Sequence, residues 1–119
     1  TGLLINTEEH SRKERKEELL GRFIQLIIRY YKENRTLEFY AEKLFISTKY
    51  LSDIIKRTSG RTAHDWIDKY IILEAKIFLR STNKTIQEIS NELNFPNNSF
   101  FAKYFKKHVG MTPKEYRQS

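Results

Sequence analysis

The sequence predicts an all-α fold in which two helix-turn-helix units are joined by one long linking helix. Three observations carry that prediction. Apolar residues recur at helical spacing through the first third, a later segment repeats itself, and cap residues mark the predicted helix starts. Only 4 Gly and 2 Pro occur among 119 residues, so few breakers interrupt the helices.

The first helix follows from Leu20, Phe23, Ile24, Ile27 and Tyr31, which recur at spacings of three and four. Acidic Glu8 and Glu9 precede the run and Asn34 follows it, which bounds the helix at about residues 8–33 and leaves residues 1–7 as a linker or tail. The side carrying Arg12, Lys13, Arg15, Lys16, Glu17 and Glu18 mixes both signs and reads as a solvated face with i,i+4 pairs.

The repeat begins at Thr36. Thr36, Leu37, Ala41 and Leu44 match Thr85, Ile86, Ser90 and Leu93 at an offset of 49. After one inserted residue the offset is 50, pairing Leu51 with Phe101, Ile55 with Phe105, Gly60 with Gly110 and Trp66 with Tyr116. A register kept over some thirty residues indicates an internal duplication.

Each copy reads as a short helix, a tight turn and a second helix closed by glycine. In the second copy Thr85 caps the first helix and Glu88 completes a capping box. Leu93 closes that helix, Asn94 suits the turn, and Pro96 with Asn97 starts the next one. Phe100, Phe101, Tyr104 and Phe105 are expected to face inward, and Gly110 to cap the end. The first copy repeats the plan with Thr36, Leu44, Ser47, then Leu51, Ile54, Ile55 and Gly60. These signals place the two units at about 36–60 and 85–110.

Between them a helix is expected over about 62–80, opened by Thr62 with Asp65. Its apolar residues, Trp66, Ile67, Tyr70, Ile71, Leu73, Ala75, Ile77, Phe78 and Leu79, occupy more than one face, which predicts contact with both units. Thr112, Pro113 and Glu115 mark one more helix start.

Composition narrows the function. With no cysteine, disulfides, thiolate metal sites and a cysteine nucleophile are excluded, and a reducing, cytoplasmic setting is expected. No apolar run is long enough to span a membrane, and no signal core is visible. The histidines, His10, His64 and His108, lack metal-site spacing, and no phosphate loop or nucleophile motif occurs, so neither enzyme, metal nor cofactor is expected. His108, beside a basic pair, reads as a surface or phosphate-proximal residue. Net charge is +7, and residues 35–119 hold fifteen Lys and Arg against nine Asp and Glu, which favours a polyanionic partner.

A helix-turn-helix needs a small residue where its helices cross and polar residues on the exposed side of the second helix. Ala41 and Ser90 meet the first need. Lys49, Ser52, Asp53 and Lys56 meet the second in one copy, and Asn98, Ser99, Ala102, Lys103 and Lys106 do so in the other. The same shape can serve as a protein-binding module, but basic pairs in both copies, Lys56–Arg57 and Lys106–Lys107, favour duplex DNA. A nineteen-residue spine spans about 28 Å. With helix widths added, it can set two recognition helices one DNA turn apart, about 34 Å. Direct repeats then predict a non-palindromic site.

The stretch from Thr36 to Arg117 resembles the AraC/XylS family of transcription regulators. The similarity is strongest in TIQEISNELNFPNNSFFAKYFKKHVGMTPKEYR, which follows that family's I-x-E-I-A start, G-F turn, y-F-s-r-x-F-K-K helix and G-x-T-P-x-x-Y-R ending. The resemblance implies a homeodomain-like, AraC-type domain over residues 8–119. It also implies binding to promoter DNA, contact with RNA polymerase, mostly as an activator, and an N-terminal sensor or dimerisation domain, in keeping with a start at Thr1 rather than Met.

Carried onto this sequence, the family's base-reading positions fall on Lys49, Ser52, Asp53, Asn98, Ser99, Ala102 and Lys103. Lys suits guanine, Asn adenine, and Ala a thymine methyl. Phosphate contacts are expected from Thr36, Ser47, Thr85 and Asn97 at helix starts, and from Lys56, Arg57, Lys106 and Lys107. Asp53 stands where the family often has Arg, which predicts a weaker first unit. Asn94 replaces the turn glycine, Ser90 replaces an alanine, and Ile71 replaces an arginine of the linking helix.

Overall fold

A computed structural model describes the backbone of residues 2–119 and the side chains of residues 11–119. The described residues form seven helices and no strand: α1 (Gly2–Tyr30), α2 (Leu37–Lys43), α3 (Thr48–Ser59), α4 (Ala63–Ser81), α5 (Ile86–Glu92), α6 (Asn98–Val109) and α7 (Pro113–Gln118). They divide into two compact units whose boundary falls inside α4, between Ile67 and Asp68. Among the described residues no helix is long and apolar enough to cross a membrane.

In the first unit, α1 begins at Gly2, six residues before the expected start, and ends at Tyr30 rather than residue 33. The early end has a local cause. Asn34 Oδ1 accepts hydrogen bonds from both the backbone N–H and the hydroxyl of Thr36, at 3.0 and 2.8 Å, and so competes with further helical winding. The side chains of Glu8, Glu9 and His10, and all of Thr1, lie outside the described residues.

Phe23, Ile27 and Tyr31 of the expected stripe are buried, and α2 and α3 add Tyr40, Ala41, Leu51, Ile54 and Ile55. Phe23 meets Tyr40 edge to face at 5.6 Å. The Tyr40 hydroxyl, buried with its ring, donates to the Asn34 carbonyl at 2.8 Å. Burial pushes this phenol up to about 12, with the nearby Arg35 charge acting in the opposite direction. The first turn of α4 belongs here as well. Ala63 and Ile67 are buried, and the Trp66 indole donates to Ser59 Oγ at 2.8 Å.

The second unit is built around Ile71, Ala75 and Leu79 of α4 with Ile89, Leu93, Phe95, Phe101 and Phe105, all buried. Phe95 lies 5.1 Å from Phe101, and Phe105 lies 5.5 Å from Tyr116 of α7. Arg117 locks α7 to the end of α4: its Nε donates to the Leu79 carbonyl at 2.9 Å and its Nη2 to those of Phe78 and Thr82. These carbonyls lie at or just beyond the last turn of α4, where helices leave acceptors unsatisfied. Ile71 is fully buried in this core, which accounts for an apolar residue at that position of the linking helix.

Two expectations about facing are corrected. Phe100 is half exposed, because four aromatics within six residues span more of a helix than one buried face can take. On α4, Leu73 and Ile77 are likewise about half exposed, and the buried stripe runs through Ile71, Ala75 and Leu79.

Candidate nucleic-acid interface

The duplicated sequence folds twice into the same local structure. The first helices have 7 residues each and the second helices 12 each. The turns share their main backbone bond. Ile46 N–H donates to the Ala41 carbonyl at 3.0 Å, and Phe95 N–H to that of Ser90 at 2.9 Å. Phe45 and Asn94 both take the left-handed conformation, at φ 60° and 62°. Caps Ser47 and Asn97 already differ by fifty positions, so the inserted residue is Pro96, just ahead of the cap.

Capping chemistry fixes where each second helix begins. Ser47 Oγ accepts from Tyr50 N–H at 3.0 Å, and Asn97 Oδ1 from Phe100 N–H at 2.8 Å. Thr36 caps α2, and Thr85 forms a capping box with Glu88. The Thr85 N–H and hydroxyl hold the Glu88 carboxyl below the usual range, and Thr112 does the same to Glu115. At Ser47 and Asn97 the capping oxygen is committed as an acceptor. The hydroxyl hydrogen of Ser47 and the amide of Asn97 are the groups left to donate outward. Gly60 and Gly110 close α3 and α6 at φ 78° and 93°, a region open to glycine without strain.

On α3, Lys49, Asp53, Lys56 and Arg57 are exposed and Ser52 half-buried. They line a concavity of about 1050 Å³ together with Tyr50, Thr62 and His64. Thr62 and His64 come from the start of α4, and sequence reasoning assigned them no part in this surface. Much of its charge is internally matched. Arg57 Nε lies 3.2 Å from Asp53 Oδ1, and Lys56 Nζ donates to the Gly60 carbonyl at 3.1 Å.

On α6, Ser99, Lys103, Lys106 and Lys107 are exposed and Ala102 half-buried. No acidic residue lies on α6, and Lys103 and Lys107 have no hydrogen-bond or ion-pair partner among the described residues. Asn98 differs from the rest: its Oδ1 is buried without a hydrogen-bond partner, so bidentate pairing with a base requires the side chain to rotate outward. Behind the exposed side, the Tyr104 hydroxyl donates to Asp68 Oδ1 at 2.5 Å, and His108 Nε2 lies 3.8 Å from Asp68 Oδ2. His108 therefore faces a carboxylate of α4 and stacks near Tyr104.

Small residues at the helix crossings also fit. Ala41 and Ser90 are both buried, and Ser90 Oγ donates to the Asn97 carbonyl at 3.1 Å, tying the turn to the start of α6.

Paired helix-turn-helix units with basic, capped second helices are the architecture of a DNA-binding regulator domain. A helix-turn-helix domain family profile matches residues 40–119. The chain belongs to this AraC-type helix-turn-helix family of bacterial transcription regulators. It is 32% identical over 95 residues to YtdP of Bacillus subtilis strain 168, an uncharacterised HTH-type transcriptional regulator, covering 80% of this chain and 12% of that protein. Among solved structures it is similar to the C-terminal domain of AraT, a response regulator from Geobacillus stearothermophilus. The TM-score there is 0.77 at 31% identity, with 84% of each chain covered. It is also similar to the C-terminal domain of the two-component response regulator yesN from Fusobacterium nucleatum. That match has a TM-score of 0.74 and 31% identity, covering 85% of this chain and 96% of that one. The chain spans from 12% to 47% of the length of the curated relatives it matches.

Proposed function

We infer that the chain binds double-stranded promoter DNA sequence-specifically, with α3 and α6 entering successive major grooves. The observation that carries this reading is the duplicated unit itself: a capped short helix, a left-handed turn and a basic second helix, built twice on the same backbone plan. Base edges are read by Lys49, Ser52 and Asp53 on α3 and by Asn98, Ser99, Ala102 and Lys103 on α6. Ser47 and Asn97 donate to phosphates from the starts of α3 and α6, and Lys56, Arg57, Lys106 and Lys107 anchor the backbone; Thr36 and Thr85 join them only by releasing the bonds they make to Asn34 and Glu88. Family membership supports an activator that contacts RNA polymerase and receives its signal through a preceding sensor or dimerisation domain.

The test is titration of duplex DNA across salt concentrations. Binding should fall steeply, with a log–log slope of about −0.9 for each phosphate neutralised. Lys103→Ala should change the preferred sequence at one position while affinity for unrelated duplex holds. A flat salt dependence, or no binding at low salt, would sink the DNA reading.

A further inference from the structure

The charged part of α1 is solvent-exposed, as the sequence pattern suggested, and Glu18 pairs with Arg22 at i,i+4, but two of its cations share the phase of the apolar stripe. Arg12, Lys16 and Leu19 continue, at spacings of four and three, the stripe that buries Phe23 and Ile27. The stripe that begins as core at Phe23 thus turns basic toward the N-terminus, still directed at α3. There it borders two adjoining clefts. One, about 420 Å³, is lined by Arg12, Lys13, Lys16 and Glu17 of α1 and by Arg57 and Thr58 of α3. The other, about 280 Å³, is lined by Arg12, Arg15, Lys16, Leu19 and Tyr50. Arg57 and Tyr50 also line the concavity around the reading side of α3, so the three surfaces are continuous.

Five cations, Arg12, Lys13, Arg15, Lys16 and Arg57, converge here with Glu17 as the carboxylate of the lining. All five are solvent-exposed, so water and salt weaken their mutual repulsion without removing it. The arrangement becomes favourable when an anion lies between the helices. A recognition helix in the major groove is flanked on each side by a phosphate strand, and Tyr50, Arg57 and Thr58 are the α3 residues that line the clefts beside α1.

We propose that α1 is a third DNA-contacting element, whose Arg12 and Lys16, with Arg57 of α3, hold backbone phosphates beside the first recognition helix. The inference rests on the DNA reading above and adds a site to it. It gives the first unit a source of affinity outside α3, where Asp53 offsets Arg57. Because the contact is to phosphate, it strengthens binding to every sequence alike.

The experiment titrates two duplexes, one recovered by selection and one unrelated, with the 119-residue chain and two double variants. Arg12→Ala with Lys16→Ala should weaken binding to both duplexes by roughly ten- to a hundredfold at about 0.1 M salt and reduce the slope by about 1.8. Base preference should be unchanged, and without DNA the variant should melt at or above the temperature of the unmodified chain. Arg22→Ala with Arg29→Ala removes the same charge from the same helix away from the clefts, and should leave the slope nearly unaltered. If the two double variants behave alike while the unmodified chain binds, α1 does not contact DNA and the DNA reading stands. If the unmodified chain binds neither duplex, the DNA reading falls and this site with it.

Discussion

The two helix-turn-helix units share a backbone plan and differ in how much of their charge is free. On α3 the Arg57 guanidinium meets Asp53 and the Lys56 ammonium meets the carbonyl of its own C-cap. On α6 no acid is present, and Lys103 and Lys107 project without partners among the described residues. An exposed i,i+4 pair adds only about 0.3–0.5 kcal/mol to stability, so Asp53 does little for the fold. On the proposed DNA reading its effect falls on binding, by offsetting the Arg57 charge. The turns differ in the same sense. The second unit places Asn, which tolerates the left-handed region, where the first places Phe45, 94% exposed and at φ 60°. Identical architecture thus supports one unit suited to carry affinity and one that gives up both charge and turn stability.

The comparison can be broken first at the cores. Phe101 and Leu51 are equivalent and both fully buried. Phe101→Ala should cost about 3–5 kcal/mol and Leu51→Ala about 2–5 kcal/mol, measured by denaturant unfolding. If α6 dominates binding, Phe101→Ala abolishes it, whereas Leu51→Ala leaves weakened but measurable DNA binding. Equal loss in both would remove the distinction between the units.

A smaller effect is expected at the charges. Lys107→Ala should weaken binding to all duplexes by about tenfold near 0.1 M salt. Asp53→Asn should strengthen it several-fold by freeing Arg57, and titrations of the two variants should move in opposite directions. A loss of affinity in Asp53→Asn would mean that the carboxylate itself reads a base, as a cytosine amine would allow.

Below that come the turns. Phe45→Gly should stabilise the first unit by about 1 kcal/mol by relieving the left-handed strain, whereas Asn94→Gly should be nearly neutral. Thermal melts of both variants decide it, and no gain at Phe45 would show that its conformation is not strained.

The smallest and most separable effect is in pH. The Glu88 and Glu115 carboxyls of the second unit sit below their ordinary 4.5 in the folded chain. Their contribution is therefore present above about that value and is lost as pH falls through the depressed folded values. Tyr40 of the first unit is raised from 10.0 to about 12 and stays protonated on folding, so its contribution holds below 10 and is lost between 10 and 12. Probes in each unit should report acid weakening of the second and alkaline weakening of the first. Replacing Glu88 and Glu115 by Gln should flatten only the acid limb.

Most of the fold was legible because helix ends are written in local chemistry. Thr36, Ser47, Thr85, Asn97, Gly60 and Gly110 each satisfy or release backbone groups within a few residues of themselves, so sequence spacing alone locates them. The exposed positions of α3 and α6 follow from period for the same reason. What sequence reading missed depends on neighbours in space or on helix phase. Phe45 carries no turn signal, and only its alignment with Asn94 at an offset of 49 points to the left-handed conformation. The aromatic character of Phe100 predicts an inward side chain, but its phase on α6 leaves it half exposed. Arg12 and Lys16 are solvent-exposed, as their charge predicts, and what charge alone hides is that they share the phase of the apolar stripe. Their spacing from Leu19 and Phe23 could have found the stripe. The pairing of Asp68 with Tyr104 and His108, 36 and 40 positions away, has no signature in the sequence.

The central claim, that one chain reads two grooves unequally, is tested most directly by unbiased selection of bound duplexes from a random pool. The account predicts a non-palindromic site with two stretches about one DNA turn apart, strongly specified where α6 reads and weakly specified where α3 reads. Enrichment of a palindrome, of two equally specified stretches, or of no sequence at all would contradict it.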